Sequence, residues 1–239
     1  MATDGPDALV MCGGRGERLR ASADAAVAEK PLLPVAGRPM VDRVIDALAG
    51  PPPVGSVHAA VSPHAPDTRD HLRERETRDG DIAVVETAGE GYVADLAAAL
   101  DDPRVTRPVV TAVADLPLLA PDAVGAALAR SEDGAHDLTV CVPVALKEAL
   151  GVSVDRTHDP AAPTDATGPA AGRALAPTGL NVVAAPGDGT TGDERVHAGW
   201  DARLAVNVNY AADAAVADRL ATDAGAERTG DGGDEGGSR

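Results

Sequence analysis

Short apolar runs alternate with amphipathic segments along this chain, and the spacing of apolar positions changes from one to the other. Asp7–Met11 (DALVM), Val57–Val61, Ile82–Val85, Pro108–Val113 and Leu138–Val142 are almost wholly apolar and are bounded by Gly, Pro or charged residues. That is the pattern of strands buried on both faces. Between them, Met40, Val41, Val44, Ile45 and Leu48 recur at helical spacing after the turn Gly37-Arg38-Pro39, and Pro51-Pro52-Pro53 ends the segment. Tyr92–Leu100, which follows the Gly89-Glu90-Gly91 turn, and Asp122–Arg130 predict two more helices. Asp67–Arg78 is charged throughout and predicts an exposed helix, while Pro31–Val35 predicts a short extended piece.

Past Asp155 the regularity weakens. Arg156–Pro177 is rich in Pro, Ala and Thr without a period, which predicts a long surface loop, read as an insertion (156–177). Gly179–Ala184 and Leu204–Val208 predict strands, Gly187–Gly192 a loop, and Ala211–Leu220 a final helix. The Gly- and charge-rich tail, 225–239, predicts disorder, leaving one domain over 1–224. Strands alternating with helices specify an α/β fold with a largely parallel sheet. Ligands of such sheets bind at the carboxyl ends of strands, where Gly13-Gly14 and Asp115 both fall.

Composition narrows the picture. There is no Phe, and only two Tyr and one Trp, so the core is built from Val, Leu and Ala. No apolar run approaches the ~20 residues of a membrane helix, and no basic region precedes an apolar stretch at the N-terminus, so a cytoplasmic protein is expected. The formal net charge is −17; of the 21 basic residues only Lys30 and Lys147 are lysine. An acidic, alanine-rich, lysine-poor chain is the halophilic pattern, suited to a cytoplasm of very high salt. At 1 M salt the Debye length is about 3 Å, which screens the self-repulsion of such a surface. The same charge excludes nucleic acid as a partner. Cys12 and Cys141 make neither a disulfide framework nor a zinc site.

Three segments carry candidate chemistry. The first runs Cys12-Gly13-Gly14-Arg15-Gly16-Glu17-Arg18-Leu19, followed by Glu29-Lys30-Pro31-Leu32 and Gly37-Arg38-Pro39-Met40. Consecutive glycines after a strand let backbone N–H groups approach phosphate oxygens with no Cβ in the way. Arg15 and Arg18 reach a polyphosphate, and Lys30 is a compact cation suited to a phosphoryl group under attack. On residues alone, a tight strand–helix turn with solvated arginines is the competing reading. Neither a P-loop nor a G-x-G-x-x-G pattern is present. The second segment, Val113-Ala114-Asp115-Leu116-Pro117, ends a strand in a carboxylate able to bind Mg²⁺ or to cap a turn. The third, Val206-Asn207-Val208-Asn209-Tyr210, holds two asparagines ahead of the last helix, where a helix cap is the alternative.

Together the glycine loop, Glu-Lys-Pro-Leu and Gly-Arg-Pro-Met resemble the nucleotidyltransferase superfamily. That group includes sugar-1-phosphate nucleotidyltransferases and molybdenum cofactor guanylyltransferase. The resemblance implies a Rossmann-like three-layer fold with a mostly parallel twisted sheet, the NTP lying over Cys12 to Arg18. It implies Lys30, Arg18 and Asp115 as catalytic residues, and Mg²⁺ on Asp115 and Asn209, with Asn207 in reserve. Thr87–Leu96 (TAGEGYVADL) and Gly179–Val183 (GLNVV) are similar to one branch, archaeal guanylyltransferases that use GTP and adenosylcobinamide phosphate. That branch implies GTP and a phosphorylated corrinoid as partners, Thr87, Gly89, Gly91 and Asn181 near them, and a homodimer. Another nucleotidyltransferase of the superfamily, or a non-catalytic nucleotide-binding protein, are the competing readings.

Overall fold

The computed structural model describes residues 5–22, 29–50, 54–158, 167–170, 172–185 and 195–230, with side chains described to residue 223. The chain runs β1 (Asp7–Met11), α1 (Glu17–Ser22), a 3₁₀ turn (Lys30–Leu32), β2 (Pro34–Val35), β3 (Arg38–Pro39), α2 (Met40–Ala49), β4 (Val57–Val61) and α3 (Pro66–Asp79). It continues through β5 (Ile82–Glu86), α4 (Tyr92–Leu100), β6 (Val109–Val113), α5 (Pro121–Arg130), β7 (Leu138–Pro143) and α6 (Val144–Leu150). The last elements are β8 (Leu175–Val183), β9 (Arg195–Ala198), α7 (Ala202–Ala205) and α8 (Ala211–Gly230).

Seven strands form one sheet in the order β5-β4-β1-β6-β8-β7-β9. Within that sheet, among the described residues, β8 alone runs antiparallel to its neighbours, and β2 and β3 form a separate antiparallel pair. The interior strand β1 is buried on both faces. Ala8, Val10 and Cys12 join the core shared with α2 and α5, whereas Leu9 and Met11 pack with Ala99, Leu96 and Leu100 of α4. Helices cover both faces, giving the expected three-layer, Rossmann-like α/β fold.

Several expectations are corrected. Leu204–Val208 is not a strand. Ala202–Ala205 is a helix capped by Asp201, whose side chain accepts from the Arg203 N–H. The residues after it are held by a bond from the Val208 N–H to the Asp115 carbonyl (2.9 Å) rather than by a ladder. Of the expected extended piece Pro31–Val35, Pro31 and Leu32 belong to a 3₁₀ turn and Pro34–Val35 is extended, as β2. The stretch 156–177 ends inside a strand, since Leu175, Ala176 and Pro177 pair with Pro143, Val142 and Cys141. Residues 159–166, the 187–192 loop, the triple proline and the last nine residues lie outside the described residues, and α8 runs past Leu220 to Gly230. The elements α1, β3, α6 and β9 are not expected from the sequence; α1 begins inside the stretch read as the glycine-rich turn.

The charged helix α3 is not only a solvated face. Leu72 and Arg75 are buried. The Arg75 guanidinium bonds Asp42 at 3.2 Å, Asp46 at 2.9 Å and Asp81 at 2.5 Å, tying α2, α3 and the start of β5 together.

Candidate active site

A cavity of about 350 Å³ opens at the carboxyl ends of β1 and β6. Its walls are the glycine loop from Cys12 to Arg15, Gly89 and Gly91 with Tyr92 at the start of α4, and Val113–Asp115. Local backbone explains the loop's shape. A Cβ at Gly13 would press on Ser62 at 3.3 Å, whereas Gly14 has open space in front of it. Gly16 has φ +65° and lies against Lys30, whose Cβ would be 3.0 Å from an added Cβ. The loop is therefore tight where it meets protein and open where a phosphate would approach. The Cys12 thiol is fully buried, and burial pushes its pKa far up, so it is a small core group and not a nucleophile.

At the cavity floor the Lys30 ammonium lies 2.5 Å from Asp115 Oδ2 and 2.6 Å from Asn209 Oδ1. Sequence separations of 85 and 179 residues are closed at one point. Lys30 and Asp115 side chains are only 13% and 19% exposed, so their interaction is weakly screened. Two oxygens converging on one cation form a hard-donor pair. That set suits Mg²⁺, which takes one or two protein oxygens and completes its shell with water and substrate phosphates. No cluster of three or more His, Cys, Asp or Glu side chains able to cage a metal by themselves occurs among the described residues.

A buried frame holds these oxygens. Asn207 Nδ2 donates to the Thr178 carbonyl (2.8 Å) and to Asp115 Oδ1 (3.4 Å). Asn207 Oδ1 accepts from Lys147 Nζ at 3.1 Å, and the same ammonium donates to the Ala205 carbonyl at 2.7 Å. Asn207 thus takes Lys147 on its oxygen and Asp115 and the Thr178 carbonyl on its nitrogen. Lys147 is buried, and burial lowers its pKa against the opposing charges of Asp213, Asp115 and Asp155. Asp213 accepts from the Asn209 and Tyr210 N–H groups, both at 2.9 Å, which fixes the backbone carrying Asn209.

The other expected residues divide. Arg15, Gly89 and Gly91 line the cavity. Arg18 points to Asp155 at 3.0 Å and is largely exposed, as is Glu17 at the start of α1. Thr87 bonds the Val61 carbonyl, and Asn181 reaches Thr111 Oγ1 at 3.5 Å in mid-sheet; neither lines the cavity. His64, Tyr92 and Asp95 line it without having been expected. Asp95 accepts from the Gly89 N–H at 2.8 Å, shaping the turn. Burial, then the charge of Asp115, raises the Tyr92 phenol above its ordinary value, so it stays neutral. His64 Nε2 lies 3.0 Å from Arg15 Nη2 and 3.2 Å from the Gly89 carbonyl. One ring nitrogen cannot accept from the first and donate to the second in the same tautomer. A free Arg15 and a latched Gly89 therefore go together.

A cation held over paired oxygens beside a glycine loop, at the carboxyl edge of a Rossmann-like sheet, defines the class: the protein is a nucleotidyltransferase. Comparison with known proteins makes the family definite. The family described as MobA-like NTP transferase domain matches residues 8–169, and the chain belongs to it. Adenosylcobinamide-phosphate guanylyltransferase of Methanocaldococcus jannaschii is 28% identical over 179 residues, covering 74% of this chain and 80% of that protein. Among solved structures, 4-diphosphocytidyl-2C-methyl-D-erythritol synthase has the same fold, with TM-score 0.61 and 14% identity over 92% of this chain and all of that one. A hypothetical transferase from Thermus thermophilus is similar at TM-score 0.50 and 21% identity over 75% of this chain, which spans 65% of that structure's length. No described helix is long and apolar enough to cross a membrane.

Proposed function

We propose that this enzyme transfers GMP from GTP to adenosylcobinamide phosphate, giving adenosylcobinamide-GDP and pyrophosphate. The observation that carries the reading is the meeting of Lys30, Asp115 and Asn209 at one point, where Lys30 and Asp115 line the cavity walled by Gly13 and Gly14 and Asn209 backs them. The choice of GTP and of the corrinoid acceptor is supported by the Methanocaldococcus jannaschii relative.

Backbone N–H groups of the glycine loop and Arg15 hold the triphosphate. Lys30 faces the α-phosphate and neutralises charge that grows there. An oxygen of the acceptor phosphate forms a bond to the α-phosphorus, and the bond from that phosphorus to the bridging oxygen of pyrophosphate breaks. The attacking phosphate is already ionised, so no general base is required. Once the Lys30 ammonium turns from their oxygens to the α-phosphate, Asp115 and Asn209 would hold Mg²⁺, which would supply charge neutralisation for the phosphates, while Asn207 and Lys147 keep Asp115 aimed. Tyr92 and the Gly89–Gly91 turn form the wall available to base or ribose.

The test is pyrophosphate release in concentrated KCl with Mg²⁺ and GTP, with and without adenosylcobinamide phosphate. Release that requires both substrates is expected. Release with another NTP or another phosphorylated acceptor instead would replace the substrate assignment, and binding of GTP without turnover on any acceptor would refute it.

A further inference from the structure

Glu29 precedes the lysine of the site, yet nothing in the chemistry above uses it. Glu29 does not line the cavity. Oε1 accepts from the Asp67 N–H at 3.0 Å and Oε2 from the Thr68 N–H at 2.7 Å. These are the second and third residues of α3, 38 and 39 positions along the chain. A helix of this length leaves its first N–H groups without intrahelical partners. Pro66 at the first position has no N–H, and Ala65 at the N-cap has no side-chain oxygen to offer. Glu29 supplies both missing acceptors from a distant segment. A carboxylate is also the group that the positive end of a helix favours.

The backbone around it is held just as closely. The Glu29 carbonyl accepts from the Leu32 N–H at 2.9 Å, and that of Lys30 from the Leu33 N–H at 3.2 Å. On the other side Lys30 rests against Gly16 of the phosphate loop. We propose that Glu29 is the positioning residue of the active site: it anchors the Lys30 segment to the start of α3 so that the ammonium meets Asp115, Asn209 and the α-phosphate. The same helix start follows His64, so one carboxylate fixes both the cationic floor and the His64 wall. The inference rests on the reading of Lys30 as the charge facing the α-phosphate.

Lysine labelling tests it directly, because the chain has only Lys30 and Lys147. An amine-acylating reagent is applied to wild type, Glu29→Ala and Glu29→Gln in concentrated KCl, and each lysine is followed by peptide mass spectrometry. In Glu29→Ala, Lys30 is expected to label several-fold faster while Lys147 is unchanged; Glu29→Gln, which keeps one acceptor oxygen, falls between. Turnover in Glu29→Ala drops about 10- to 100-fold, the range for a misplaced reacting group, with the KM for GTP within a few-fold. In a Lys30→Met background the same change costs nothing further. An unchanged Lys30 rate, both lysines accelerating together, or an equal loss of turnover in the Lys30→Met background would overturn the proposal. Should Glu29→Ala fail to fold, Glu29→Gln carries the same readouts. A wild type that transfers no nucleotide would sink the reading of the site, while the labelling ratio still decides whether Glu29 holds Lys30.

Discussion

Replacing Lys30 by Met removes the charge but keeps the aliphatic stem that packs against Gly16. In the wild type the ammonium is shared by Asp115 and Asn209 at 2.5 and 2.6 Å. Two effects of opposite kind follow. Asp115 Oδ2 loses its cation and Asp115 keeps the longer bond from Asn207 at 3.4 Å. An acceptor left short of a partner in a site this enclosed costs about 1–3 kcal/mol of stability. Turnover loses a preorganised charge at the α-phosphate, worth roughly 10²–10³ in rate, or about 2.7–4 kcal/mol. The oxygens that held the ammonium become free for a divalent ion, so Mg²⁺ alone raises the melting temperature of Lys30→Met more than that of wild type. The assays are pyrophosphate release under saturating GTP and acceptor, and thermal melting with and without Mg²⁺. Turnover within a few-fold of wild type, together with an identical Mg²⁺ shift, would refute the reasoning and remove Lys30 from the chemistry.

Four further outcomes are expected. Lys147→Met fills the same space but gives up the donor to Ala205 and Asn207; turnover falls about 10- to 100-fold as Asn207 and Asp115 lose their orientation, and an unaltered rate in a folded variant would exclude that role. Gly89→Ala places a Cβ 2.9 Å from the His64 ring at φ +76°, which costs about 1–2 kcal/mol for the left-handed backbone alone and shows as a raised KM for GTP; an unchanged KM contradicts the placement of that wall. At the α2–α3–β5 junction, burial pushes Asp46 up, but hydrogen bonds from Arg38 and Arg75 outweigh it and hold its carboxyl below the ordinary 3.8. A depressed folded-state pKa contributes stability that is present above 3.8 and lost as pH falls through the folded value, so urea midpoints of wild type and Arg75→Met, well separated at neutral pH, converge in acid; a constant gap would deny the linkage. Dialysis from molar KCl into dilute buffer lengthens the screening distance over a chain of charge −17 and is expected to collapse the far-UV circular dichroism, so an unchanged spectrum would count against a salt-dependent fold.

Much of this protein is legible along the chain, and the legible parts are those governed by neighbours in sequence. The central strands and α2 follow from the periodicity of Val, Leu, Ile and Ala, because burial acts position by position. The glycine loop, Lys30, Asp115 and Asn209 stand out because each chemistry demands a particular residue type at a strand end or turn. Tertiary structure decided the rest. Asn207 and Asn209 are two residues apart and look alike, but Lys147 occupies the oxygen of the first and leaves the oxygen of the second to face Lys30. Leu204–Val208 has the apolar content of a strand, yet the Asp201 cap and the bond to Asp115 give it another backbone. Arg75 reads as part of an exposed helix and Glu29 only as the first residue of the Glu-Lys-Pro-Leu motif; the packed fold alone brings three aspartates around the one and the open end of α3 onto the other. Sequence patterns report what a residue prefers, whereas the partner that satisfies a buried donor or acceptor is set by which distant segments the sheet and its helices bring within 3 Å.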